Sequence, residues 1–170
     1  MKKILLPLFV IVMATGSKAQ APKLCLFEHF TNAGCGPCAQ QNPGFETNIL
    51  NPNPGKARHI AYHTPGPGPD PMNQTNPGGN SARSSFYGVT GVPSVYMLGN
   101  QKQAQPGGFS QADVDNVWSS GSPVKIVVTE VDNGNNRDVT VKVTSVAAPP
   151  AGSYNLYVAC IQRHANYTSP

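Results

Sequence analysis

The stretch FTNAGCGPCAQQNP limits the architecture of this chain more than any other. It sets Cys35 and Cys38 on either side of Gly36-Pro37, with Pro43 five residues beyond the second cysteine. Just before it, KLCLFEHF (23–30) is a nearly continuous apolar run, as expected of a central strand covered on both faces. A CxxC at a strand-to-helix junction places its first sulfur beside the free N–H groups of a helix N-terminus. Those dipoles favour the thiolate and lower its pKa below the free value of about 8.5. The spacing therefore predicts Cys35 as an exposed attacker and Cys38, one helical turn on, as a more buried resolver. The helix should reach about Leu50 on the anchors Phe45, Ile49 and Leu50, with Pro43-Gly44 kinking it or cutting it short. Spacing alone also admits metal ligation and an inert disulfide.

The compartment bears on which of these is open. MKKILLPLFVIVMATGSKAQ has a basic start, an apolar run from Ile4 to Ala14, and small residues Ser17 and Ala19, the layout of a secretory signal cut after Ala19. The apolar run is too short to span a membrane, and the mature chain offers no transmembrane segment. Cys25 follows Lys23-Leu24 rather than the small residues of a lipoprotein signal. Removing residues 1–19 takes out Lys2, Lys3 and Lys18 and leaves 9 of the 12 basic residues against 8 acidic ones. Most of the formal charge of +4 thus belongs to the signal, and no Lys/Arg cluster points to a nucleic-acid partner. All four cysteines lie in the mature part, where disulfides persist. Four cysteines allow three pairings, and Cys35 with Cys38 is the most economical. Cys25 and Cys160 sit in apolar, strand-like runs and are expected to be buried and free.

Further along, ARHIAYH (57–63) reads as a second strand. TPGPGPDPMNQTNPGG (64–79) is too rich in Pro and Gly for a regular element, and long excursions of this kind often carry function. Asn80 or Ser81 can cap a short helix through ARSSFYG. VPSVYML (92–98) is a strand, with a turn at Gly99-Asn100 and a weak strand over 101–105. FSQADVDNVWSS carries Ser110 as N-cap, Asp113 at the capping-box position, and a face of Ala112, Val114, Val117 and Trp118. After Pro123 the period changes to two. VKIVVTEV and RDVTVKVTSV flank DNGNN, a hairpin signal, and YNLYVACIQ alternates as a third strand. Three strands cannot bury two sheet faces, and a sandwich usually has about seven. The chain also closes on HANYTSP without a finished element. Residues 122–170 are therefore expected to be an incomplete all-β module, truncated or completed by a partner, after an α/β domain over 20–121.

Metal ligation fails on geometry. His59 and His63 follow the cysteines, but 20 residues separate Cys38 from His59, outside the usual spacing. On a strand, four residues at about 3.3 Å each put the two imidazoles roughly 13 Å apart, too far to share an ion at about 2 Å. No metal site and no cofactor is read from the chain. His63 and Asp70 flank the Pro/Gly excursion and can line a substrate groove, although an ordinary loop is the simpler reading. Arg83 reads as a solvated charge, and Tyr62, Phe86 and Tyr87 as core. NQT (73–75) matches a glycosylation acceptor pattern. No phosphate loop, carboxylate pair or Ser/His/Asp arrangement stands out.

FTNAGCGPCAQQNP resembles the active-site segment of thioredoxins, and YGVTGVPSVYMLGN resembles their later segment, where a hydrophobic residue precedes a cis-proline and a strand. The resemblance covers about residues 23–120 and implies a βαβαββα fold. It implies that Pro93 is the cis-proline facing the Cys35–Cys38 redox-active disulfide and contacting the substrate backbone. It also implies disulfide-containing protein substrates and a thiol redox partner, with Gly-Pro between the cysteines leaning toward a reductant. Two departures stand out. Gly34 replaces the tryptophan that precedes the first cysteine. His29 stands where thioredoxins bury the acid that relays protons to the resolving thiol. A buried imidazole can act as general base near neutral pH; a histidine hydrogen-bonded at the strand end is the other reading. FEHFTNAGCGPCAQQNP, IAYHTPGPGPDP and ARSSFYGVTGVPSVYML, followed by a β module containing LYVACIQRH, further resemble the Omp-twenty-eight-related envelope proteins of Gram-negative bacteria. That resemblance implies an immunoglobulin-like C-terminal domain and a periplasmic or outer-membrane location.

Overall fold

The computed structural model describes residues 20–162, so the expected signal segment 1–19 and the terminal HANYTSP lie outside the described residues. The chain divides into two units, residues 21–122 with 150–162, and residues 123–149.

In the first unit the order is β1 (Cys25–Thr31), α1 (Gly36–Phe45), β2 (Ala57–His63), α2 (Pro71–Thr75), α3 (Pro77–Tyr87), β3 (Ser94–Met97), β4 (Lys102–Ala104) and α4 (Gln111–Ser120). The strands form one mixed sheet in the order β2-β1-β3-β4, with β2 parallel to β1 and the other neighbours antiparallel. This mixed α/β arrangement is consistent with a thioredoxin-like fold. Strand β1 is central, as its composition demands, and every residue from Phe27 to Thr31 is buried. Its alternation sends Cys25, Phe27 and His29 to one face and Leu26, Glu28 and Phe30 to the other. On the first face Phe27 meets Phe45 and Phe109 edge-on, both at 5.3 Å between centroids. Ile49, Val95, Met97, Val114 and Val117 complete that core.

Helix α1 does not stop at Pro43. Proline cannot donate to the carbonyl four residues back, and the chain answers by widening its turn. The Glu46 N–H reaches the carbonyls of both Asn42 and Pro43, and the Asn51 N–H donates to the Glu46 carbonyl at 2.8 Å. The result is a π-helical turn over Glu46–Leu50 that keeps Ile49 in the core. The excursion expected to be irregular contains two helix starts of one design. Asp70 accepts the N–H groups of Met72 and Asn73 ahead of Pro71, and Asn76 accepts that of Gly79 ahead of Pro77. Proline suits the first helical position because its missing N–H would have no partner there. Helix α3 therefore begins at Pro77, earlier than the cap expected at Asn80 or Ser81, and ends at Gly88 with φ 62°. The Ser110–Asp113 capping box of α4 is present.

The second unit is a hairpin of β5 (Val124–Asn133) and β6 (Asn136–Ser145), closed with Asn133 opposite Asn136. Gly134 in this turn has φ 61°, which glycine adopts without strain. Ile126 and Val128 pair with Val143 and Val141 and make one face apolar. Ile126, Val128 and Val143 are each more than half exposed. The expected third strand is not formed: residues 153–162 have no regular structure and are exposed, Cys160 included. Alternation alone does not make a strand, because its N–H and C=O groups need a sheet edge to pair with. An immunoglobulin-like sandwich is thus not what the described residues form, and Cys160 is free but exposed rather than buried.

Candidate functional site

Cys35 and Cys38 form a disulfide, with Cα atoms 5.2 Å apart. Cys35 is the N-cap of α1, and its Sγ accepts the Cys38 N–H at 3.1 Å. The first turn holds no acidic residue, so nothing there opposes negative charge on that sulfur. Across from it, the Val92 carbonyl oxygen lies 3.7 Å from Cys35 Sγ. The Val92–Pro93 peptide bond is cis, as is Gly66–Pro67.

The expected contrast between an exposed Cys35 and a buried Cys38 is absent: they are 3% and 2% exposed. The Pro/Gly segment is held against the loop before the cysteines. Asn32 Nδ2 donates to the carbonyls of Thr64 and Gly68 at 2.8 and 2.9 Å, and its Oδ1 accepts the Gly34 N–H at 2.7 Å. Asp70 Oδ2 accepts the Ala33 N–H at 2.8 Å and lies 2.7 Å from His63 Nδ1. Burial alone would raise the Asp70 carboxyl, but His63 and the N–H groups of Ala33 and Asn73 hold it below its ordinary value. Asp70 is therefore a buried clasp rather than a groove wall. A Cβ on Gly34 would come within 3.0 Å of Gly68 Cα. Any side chain at 34, tryptophan included, would start in a contact with the backbone of residue 68 tighter than ordinary packing.

Beside the disulfide, between α1 and the edge strand β2, lies a cavity of about 440 Å³. Its walls include Cys35, Cys38, His29, Asn42, His59 and His63. His29 is 3% exposed, and its Nδ1 lies 3.2 Å from His59 Nε2. Burial, reinforced by the neighbouring His59 and His63, pushes the His29 pKa down to about 3. Burial likewise pushes His59 down to about 4. Both rings are thus neutral at neutral pH. Asn42 Nδ2 donates to Thr31 Oγ1 at 2.9 Å. The Asn42 side chain favours a protonated His29, yet His29 Nε2 and Asn42 Oδ1 are both buried without a well-formed hydrogen bond. Sequence reasoning missed His59 as a partner of His29, and missed Asn42 altogether. Helical spacing from Cys38 to Asn42 was the available signal for the second. No group of three or more His, Cys, Asp or Glu side chains able to hold a metal occurs among the described residues.

The opposite face of β1 corrects two expectations. Arg83 is not a solvated charge. Its Nε and a terminal nitrogen donate to the two carboxylate oxygens of buried Glu28 at 2.6 and 2.8 Å, and the Tyr87 hydroxyl donates to Glu28 at 2.5 Å. Phe86 is not core: it is 71% exposed, with the Arg83 guanidinium 4.7 Å from its ring centre. Tyr62 and Tyr87 are half-buried around Phe30.

No family model and no curated protein matches this chain. Among solved structures, HBP35 of Porphyromonas gingivalis is similar at 16% identity and a TM-score of 0.47, covering 66% of this chain and 38% of that one. The chain thus spans well under half the length of that protein. A thioredoxin of Malassezia sympodialis, Mala s 13, is similar at 17% identity and a TM-score of 0.37, covering 58% of this chain and 78% of that one.

Proposed function

We propose that this chain is an exported thiol–disulfide oxidoreductase of the bacterial envelope, of the Omp-twenty-eight-related kind. The carrying observation is Cys35 Sγ at the helix N-cap, accepting the Cys38 N–H at 3.1 Å. In the reduced form the same contact stabilises a Cys35 thiolate. That thiolate attacks a substrate disulfide, forming a bond from Cys35 Sγ to one substrate sulfur and releasing the other as thiolate. The Cys38 thiol loses its proton and attacks Cys35 Sγ, which restores the disulfide and releases the second substrate thiolate. The substrate gains two electrons and the protein loses two, to be returned by a dithiol donor. The Val92 carbonyl and Pro93 form the rim on which an extended substrate backbone rests. His29 receives the Cys38 proton, and the C-terminal hairpin, read as part of an immunoglobulin-like module, contacts partners. One observation favours a second reading, an inert staple in a binding module: Cys35 is only 3% exposed.

Insulin reduction by the full chain, with dithiothreitol as donor, separates the two readings. The exchange reading expects acceleration over dithiothreitol alone and none from Cys35→Ser. A wild-type rate equal to the donor-only rate leaves the staple.

A further inference from the structure

The segment TPGPGP (64–69) reaches to within one residue of the attacking cysteine, and thiol exchange by itself gives it no task. Resting on the exchange reading above, we propose that it is a specificity element. It is a fixed strap that grips the apolar residues beside the reacting cysteine of an extended polypeptide substrate.

The strap is fixed along its length. The Thr64 N–H donates to the Thr31 carbonyl at 2.8 Å, and the Thr64 hydroxyl to the Gly66 carbonyl at 2.7 Å. Asn32 Nδ2 holds the carbonyls of Thr64 and Gly68. The backbones of residues 34 and 68 touch: a Cβ on either glycine would meet the Cα of the other at 3.0 or 3.3 Å. Thr64 and Asp70 at the two ends are buried, whereas Pro65, Pro67 and Pro69 between them are all exposed.

Position and chemistry together give the strap its ligand. A substrate sulfur bonded to Cys35 Sγ carries its own chain past this point, each extended residue adding about 3.3 Å. The neighbours of the reacting cysteine therefore come within reach of a strap that touches Gly34. Within 65–69 only Gly66 and Gly68 carry an N–H, so the strap offers few donors for strand pairing. It offers proline rings instead, whose fixed φ leaves little to be ordered on binding. Proline-rich segments pair well with aromatic surfaces. No charged residue or histidine occurs at 32–37, 64–69 or 88–93, the segments around Cys35, Gly68 and Val92. The first carboxylate beyond the strap, Asp70, is 2% exposed and committed to His63 and the Ala33 N–H. An acidic substrate residue would lose water here and find no cation in its place. The strap thus favours aromatic over acidic residues next to the substrate cysteine.

The test uses the full chain carrying Cys160→Ser, reduced and desalted. It is mixed at about pH 7 with the symmetric disulfide of acetyl-Ala-Phe-Cys-Ala-amide or of acetyl-Ala-Asp-Cys-Ala-amide. Each rate is divided by that of dithiothreitol with the same peptide, which removes the peptide's intrinsic reactivity. The strap predicts that the Phe peptide reacts about tenfold faster than the Asp peptide, the scale of one pocket contact. Pro69→Lys should lower that ratio by about tenfold, by adding a cation where a ring stood. The uncharged 4,4′-dithiodipyridine is too small to span to the strap, so its rate should agree within about twofold between the two proteins. Equal normalised rates for the two peptides overturn the strap, and that readout needs no variant to fold. An unchanged ratio in Pro69→Lys also overturns it, as does an equal loss with 4,4′-dithiodipyridine, which would place the effect on Cys35 itself. A 4,4′-dithiodipyridine rate no faster than that of free cysteine removes the exchange reading, and the strap with it.

Discussion

Cys38→Ser should stop insulin turnover and leave a stable mixed disulfide on Cys35. Serine at 38 keeps the backbone N–H that Cys35 Sγ accepts at 3.1 Å, so the attacking thiolate keeps its support. What disappears is the second thiol, and with it intramolecular release of substrate. Turnover should fall by about a thousandfold, the scale on which removing one member of a catalytic unit acts. Non-reducing mass spectrometry should show one substrate chain per protein, attached at Cys35. Cys35→Ser, which loses the attacker, should show none. Turnover by Cys38→Ser within a few-fold of wild type would contradict the assignment of resolver.

Arg83→Met should cost about 3 kcal/mol in urea unfolding, the scale for removing one partner of a buried ion pair. Methionine retains apolar packing near Phe86 and Tyr87 but leaves the Glu28 carboxylate, whose side chain is 3% exposed, without its cation. The pH dependence has a definite sign. Burial by itself raises the Glu28 carboxyl, but Arg83 and Tyr87 more than offset it and hold the pKa below its ordinary value. A depressed carboxyl contributes stability that is fully present above the unfolded pKa of about 4.3 and is lost as pH falls through the folded value. Without Arg83 burial prevails and Glu28 folds best protonated. The variant's deficit should therefore be largest near neutral pH and shrink below about pH 4. Equal deficits at about pH 3 and pH 7 would show that the pair does not carry the effect.

What the sequence made legible was local. The apolar run of β1, the Ser110–Asp113 box and the Asn133-Gly134 turn each hold their signal within a few residues, and each element forms. Pairings across the fold were not legible. Glu28 and Arg83 are 55 residues apart, so the ion pair depends on α3 crossing the sheet where it does. His29 meets His59 only because β2 lies parallel to β1 with Phe27 opposite His59 and His29 opposite Ala61. Gly34 read as a missing tryptophan, and the backbone that crowds it, that of Gly68, lies 34 positions downstream. YNLYVACIQ failed in the other direction. Its alternation was real, but no sheet edge pairs with it among the described residues.

The central claim is that Cys35 is an activated thiol. The most direct test is the pH dependence of Cys35 alkylation by iodoacetamide in the reduced chain. Peptide mass mapping would count it apart from exposed Cys160 and from buried Cys25, whose thiol burial pushes up to about 11. The account predicts a Cys35 midpoint well below the free value of about 8.5. A midpoint at or above that value, in a chain that fails to reduce insulin, would contradict it.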